Sequence, residues 1–249
     1  LPFMRRVYRD QLREFRHDIS LMADFTRTAL DSATRALLNA DLALAEKILG
    51  SVDTLEDLRV TSEKAAFQLL ALEAPVARDL RVVVAGQHIV EDFTRMGALA
   101  VHVAKVARRR HPENAVPEAI RPFIEEMARQ CDNSAMKVQE LLRHLDVQTA
   151  LELIEDDDAV DDIHRHLFQL TTMREWPHSV REAVDLTLLS RYLERFSDHA
   201  VTIGSRIIFI ATGLTPDEYQ RKQEDEEVQR RFREEFDEMR YRYDRNFDY

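Results

Sequence analysis

The chain is poor in the residues that build cross-links, tight turns and sheets. It holds one cysteine, five glycines and seven prolines among 249 residues. The lone Cys131 excludes an internal disulfide and a cysteine-based zinc finger, and it fits a reducing compartment. The glycines never cluster, so no glycine-rich phosphate cradle exists. No apolar run reaches the ~18–20 residues that a membrane span needs, and the greasiest stretch, Ile203 to Leu214, contains Arg206. Positive charge is also scarce. Lys plus Arg number 35 against 46 Asp plus Glu, a net charge of −11 with pI near 5.3, which disfavours nucleic-acid binding as a general activity. The N-terminus shows no signal-peptide pattern, and Leu1-Pro2-Phe3 ahead of Met4 leaves open an added remnant or a start further upstream. These absences predict a soluble, cytoplasmic chain with no direct membrane insertion.

What is abundant is Ala, Leu, Arg and Glu, a helix-forming composition. Proline is hard to place inside a helix, so Pro75, Pro112, Pro117, Pro122, Pro177 and Pro216 mark the joints. Two stretches remain too long for one ordinary helix, and Asp41 and Asp146 supply N-caps that divide them. Helices are therefore predicted over about 5–39, 41–73, 77–111, 118–144, 147–174 and 180–212, with Gly213 as the closing cap. Leu80, Val83, Val84, Val90, Met96, Ala100, Val103 and Val106 recur at helical spacing, which buries the third of these helices deeply.

The chain also repeats itself. Thr94-Arg95-Met96-Gly97-Ala98-Leu99-Ala100-Val101 aligns with Glu194-Arg195-Phe196-Ser197-Asp198-His199-Ala200-Val201 at an offset of 100. Asp53-Thr54-Leu55-Glu56-Asp57-Leu58 aligns with Asp158-Ala159-Val160-Asp161-Asp162-Ile163 at an offset of 105. The predicted fold is thus all-α: two tandem antiparallel three-helix bundles related by internal duplication, over 4–112 and 117–215. A charged segment, 221–249, follows with eight basic and ten acidic side chains. In it Val228, Phe232, Phe236, Met239, Tyr243 and Phe247 draw one apolar stripe along a helix. Acid-before-base pairs Glu226–Arg230, Glu227–Arg231 and Glu238–Arg242 support that helix by ~0.2–0.5 kcal/mol each. Two readings stand for this tail: a partly disordered charged extension, or an amphipathic helix that docks on the body, a sister subunit or a partner.

The candidate chemistry is a carboxylate cluster. Glu194 and Asp198 lie one helical turn apart on one face, and Asp158 and Asp162 share that spacing on the preceding helix, with Asp161 between them. If packing brings the rows together, the carboxylates repel and raise one another's pKa unless a cation neutralises them. Oxygen donors suit Mg²⁺, Mn²⁺, Ca²⁺ or iron, and His199, His164 and His166 would move the preference toward zinc or iron. The plainer reading is a solvated acidic face, with Glu194 paired to Arg191 or Arg195. The carboxylates of the second copy have no match in the first, where Thr94 and Ala98 stand instead. Catalytic alternatives find little support. A di-iron bundle needs paired Glu-x-x-His motifs, and Cys131 has no nucleophile signature and reads as a small core residue. Arg108-Arg109-Arg110 reads as cations meeting a helix C-terminus. A metal-dependent helical-bundle enzyme or a metal buffer is the alternative class.

Tyr192-Leu193-Glu194-Arg195-Phe196-Ser197-Asp198-His199-Ala200, Ala74-Pro75-Val76-Ala77-Arg78-Asp79-Leu80-Arg81 and Arg95-Met96-Gly97-Ala98-Leu99-Ala100-Val101-His102-Val103-Ala104-Lys105 resemble the PhoU family of phosphate-uptake regulators, in its actinobacterial branch. The resemblance covers about residues 4–215. It implies a cytoplasmic, non-enzymatic adaptor, commonly a homodimer. Such an adaptor connects a phosphate ABC transporter, through its ATPase subunit, to a sensor histidine kinase and represses phosphate-starvation genes. It further implies iron or zinc clusters in some members, held by an acidic motif on the third helix of each bundle. Here only Glu194 and Asp198 fit that motif, with Asp158, Asp161 and Asp162 as helpers, and the metal is left among Fe, Zn, Mn and Mg.

Overall fold

The computed structural model describes residues 2–73, 75, 77–156 and 158–245. Among them there is no strand. The elements are α1 (Pro2–Leu38), α2 (Leu42–Leu49), α3 (Val52–Glu73), α4 (Ala77–Arg110), α5 (Arg121–His144), α6 (Val147–Glu155), α7 (Asp158–Thr172), α8 (Val180–Thr212) and α9 (Pro216–Arg245).

Local chemistry explains the boundaries. Asp41 caps α2 by accepting from the Leu44 amide, and Asp146 caps α6 by accepting from Gln148 and Thr149, as the sequence predicts. A residue with positive φ precedes each cap, Ala40 in the first half and Leu145 in the second. Ser179 and Glu182 form a full capping box at the start of α8. Gly213 closes α8 with φ +80°, a left-handed conformation in which glycine carries no Cβ penalty.

The second helix of each bundle differs from expectation, because neither 41–73 nor 147–174 is continuous. α2 stops at Gly50, and the Ser51 hydroxyl donates to the Ile48 carbonyl at 2.7 Å, while α6 stops at Asp156. Each short helix therefore leads into a longer one at the same place in both halves.

The first bundle packs α1 against α3 and α4, and the second packs α5 against α7 and α8. α4 and α8 also pack together, and α1 meets α5, so the two bundles share one continuous core. Phe15, Met22, Phe93 and Met96 fill the first bundle, and Ile124, Met127, Leu193 and Phe196 fill the second. Of the apolar stripe predicted for α4, Leu80 and Val84 are exposed, because these two lie one turn apart on a flank of α4 that faces away from the core, while Val83 turns in. The stripe of α1 shows the rule: Phe15, Ile19, Met22, Thr26, Ala29, Ala33 and Leu37 face inward at three- and four-residue steps. Beyond Gly213, α9 leaves the body, and 220–241 are exposed throughout.

Candidate functional site

Two helices of the second bundle build an acidic face. α7 contributes Asp158, Asp161 and Asp162 from its first turns, and α8 contributes Glu194 and Asp198. Packing selects among them. Asp161, Glu194 and Asp198 each place a carboxylate oxygen within 4.8 Å of the others. Asp162 lies outside this trio, exposed and bound to Arg165 at 2.7 Å. Asp158 is exposed as well, although its charge is felt at Asp161. One turn beyond Asp161, His164 sets Nδ1 2.8 Å from the Ser190 hydroxyl. Asp161, His164, Arg165, Phe168 and Glu194 line an open cleft of about 380 Å³.

The trio is electrostatically loaded. Burial, and then the neighbouring Asp198 charge, hold the carboxyls of both Asp161 and Glu194 above their ordinary range. Burial and the nearby Arg191 push the His164 imidazole down, toward its neutral, ligand-competent form. Two cations answer the charge only in part. Arg191 reaches both Glu194 oxygens at 2.5 Å, and Arg195 lies 3.3 Å from Asp198. Asp161 Oδ1 is buried with no hydrogen-bond partner among the described residues. A carboxylate with an orphaned oxygen, grouped with two more carboxylates, is a donor set that fits a hard cation.

The remaining histidines are engaged elsewhere. His166 packs on Phe123, with ring centroids 5.1 Å apart. His199, read from the sequence as a candidate nitrogen ligand, instead meets Asp92 of α4 at 3.0 Å.

Applying the repeat offsets to the first bundle sets Glu56 at the place of Asp161, Thr94 at that of Glu194, Ala98 at that of Asp198 and Arg59 at that of His164. Only one carboxylate survives, and it is occupied. Arg59 holds both Glu56 oxygens, at 2.5 and 2.9 Å, and that hydrogen bonding keeps the carboxyl below its ordinary range. The Thr94 hydroxyl turns back to the Val90 carbonyl of its own helix at 2.8 Å. The space becomes an apolar groove of about 510 Å³, floored by Leu49, Val52, Leu55, Gly97 and Val101.

Sequence reading missed the joint between the bundles. Asp92, buried on α4, is held by His199 and also by Arg206 at 2.9 Å from α8. That accounts for the arginine interrupting the apolar run of α8. Asp185, 2% exposed, takes Arg109 at 2.5 Å and faces Arg110 at 3.6 Å, so two of the three arginines ending α4 clamp a buried acid of the other bundle. Arg27 of α1 binds Asp132 of α5 at 2.7 Å. The signal in the sequence was a charged residue at an inward position, Asp92 or Asp185, which needs a partner when buried.

Fold and site together define a class: an internally duplicated helical-bundle protein whose second repeat carries an acidic binding face. Known proteins narrow this further. The PhoU domain profile matches residues 19–107 and 124–207, once in each bundle. A Mycobacterium tuberculosis protein named phosphate-specific transport system accessory protein PhoU homolog 2 is 47% identical over 213 residues, covering 86% of this chain and 100% of the relative. PhoU homolog 1 of Mycobacterium leprae is 45% identical over 215 residues, covering 86% and 97%. The chain belongs to the PhoU family. The crystal structure of PhoU from Pseudomonas aeruginosa has the same fold, with a TM-score of 0.78 at 24% identity over 83% of this chain and all of that one.

Proposed function

We propose that this chain is a regulatory accessory protein of phosphate transport that acts in the cytoplasm by binding and not by catalysis. The observation that carries the reading is its 47% identity, across the full length of the relative, to a protein named for phosphate-specific transport. No helix among the described residues is long and apolar enough to cross a membrane, so an association with transporter components is read as contact between protein surfaces. A net charge of −11 suits basic faces on those partners, since complementary potentials speed and orient association. We assign the partners as the ATPase subunit of a phosphate ABC transporter and a sensor histidine kinase, with the chain acting as a homodimer that represses phosphate-starvation genes.

The acidic trio serves this role as a regulatory or structural cation site. Asp161, Glu194 and Asp198 are the assigned ligands, and Asp158 stands at the rim. Three oxygen donors favour Mg²⁺, Mn²⁺ or iron over zinc. The test is deletion of the gene and measurement of phosphate-starvation transcripts at high phosphate. Derepression restored by the intact gene is expected, and unchanged repression in the deletion strain would overturn the reading.

A further inference from the structure

The family profile ends at residue 207, and 86% of this chain already spans the whole of its 47% identical relative, so α9 stands apart from what the family shares. It is also the least satisfied element. Val228, Phe232, Phe236 and Met239 form one stripe and are 66%, 68%, 54% and 66% exposed. The Phe232 and Phe236 rings stack at 6.5 Å, which aligns them along the helix without covering them. Aromatic side chains arrayed this way on a regular helix carry an unmet burial free energy.

We propose that α9 is a docking surface for a second copy of this chain, pairing with its counterpart as a parallel two-stranded coiled coil. The charges beside the stripe identify the occupant. Setting Phe236 and Met239 at the a and d positions of a heptad puts Gln229 at a and Phe232 at d. Glu226, Arg233 and Arg240 then fall at e, while Arg221, Val228 and Glu235 fall at g. In a parallel pair each g residue faces an e residue of the partner in the next heptad. Arg221 meets the partner's Glu226, Glu235 meets the partner's Arg240, and Val228 lies along the stem of the partner's Arg233. Every charged g–e contact is attractive. An antiparallel pair that keeps the aromatic layers in register instead sets Arg233 against the partner's Arg240. Two ion pairs within α9 lie off this seam, Arg230 with Glu234 at 3.9 Å and Arg231 with Glu227, while Lys222 at 3.8 Å shares Glu226 with the partner's Arg221. Glu235 and Arg240 hold no ion pair among the described residues, so both remain available across the seam.

The pattern predicts where two chains touch, and cysteine cross-linking of the full-length protein reads it directly. The native Cys131 is buried in the body and out of reach. Met239→Cys, at a d position, is expected to form an inter-chain disulfide under mild oxidation, and Glu234→Cys, at an f position on the outer face, is not. Adding Glu235→Arg to Met239→Cys places like charges at both symmetric contacts and slows cross-linking roughly tenfold. Adding Arg240→Glu as well restores it. An uncross-linked Met239→Cys chain, or equal linking from both cysteines, overturns the pairing. Cross-linking that ignores the charge reversals overturns its parallel register. All substituted side chains are solvent-exposed, so folding of the body is not at stake.

Discussion

The two bundles share caps, helix breaks and an inward pattern, and they part company at one place. In the second, three carboxylates crowd between α7 and α8, with one oxygen left unpaired. In the first, the matching space holds one glutamate tied to an arginine beside an apolar groove. The contrast shows what a like-charge cluster costs. Asp161 and Glu194 are held above their ordinary pKa, so ionising them in the folded state works against stability. A repeat under no demand to bind anything gains by trading such groups for threonine and alanine. The first bundle, with threonine and alanine at the matching positions, keeps the same backbone frame without that cost.

The sharpest test separates the two sites by metal affinity. Glu194→Ala with Asp198→Ala is expected to weaken Mn²⁺ binding at least about 100-fold by titration calorimetry. Glu56→Ala in the first bundle should change it little, and equal losses would erase the distinction between the bundles. The reverse experiment rebuilds the lost site. Arg59→His, Thr94→Glu and Ala98→Asp together should raise the bound stoichiometry toward that of two sites, and no gain would mean that more than these side chains has diverged.

The next effect is in packing. A Cβ on Gly97 would sit 2.2 Å from Leu55 Cδ2, so Gly97→Ala should destabilise by about 1–3 kcal/mol in denaturant unfolding. The second bundle already has Ser197 at that position, and Ser197→Ala should cost less.

How much of this was legible beforehand follows from the range over which each signal acts. Caps at Asp41, Asp146 and Gly213 were readable because capping is decided within a few residues. The pair Glu194 and Asp198 was readable because a four-residue step shares a helix face. Which aspartate of α7 joins them was not, because the rotation of α7 against α8 is set by tertiary packing. Asp161 turns in, while Asp162, one residue along, turns to Arg165. The helix breaks near Gly50 and Asp156 escaped notice because no proline marks them. The joint pairs span 75 to 114 residues, and no spacing rule reaches that far. Of the tail stripe, Phe247 lies outside the described residues, and so do the side chains of Tyr243 and Arg242. Arg231 pairs with Glu227 as the spacing predicts, while Arg230 reaches forward to Glu234 instead of back to Glu226.

A smaller effect lies in acid–base balance. For Asp161 and Glu194 the folded-state pKa is raised above the unfolded value. The stability tied to their protonation is fully present below the ordinary carboxylate range and is lost as pH rises through the raised values. Metal-free protein should thus lose melting temperature across that interval, and Glu194→Gln should regain roughly 2–4 °C at neutral pH. Glu56→Gln, which removes an exposed ion pair, should give no gain. The smallest effect is expected from the element that belongs to neither repeat. Removing 221–249 should leave the melting temperature of dilute protein within about 1–2 °C, since the described side chains of this segment, 221–241, are all exposed.

Gly213 also fixes an aim. At 1.5 Å per residue, the 30 residues of α9 form a lever about 45 Å long whose bearing is set in the short joint of Gly213, Leu214 and Thr215, steadied by Tyr219 against the core. An error of about 10° there would carry the tip sideways by roughly 8 Å, most of the distance between two packed helix axes. A joint of three residues thereby governs where the described end of α9 can reach.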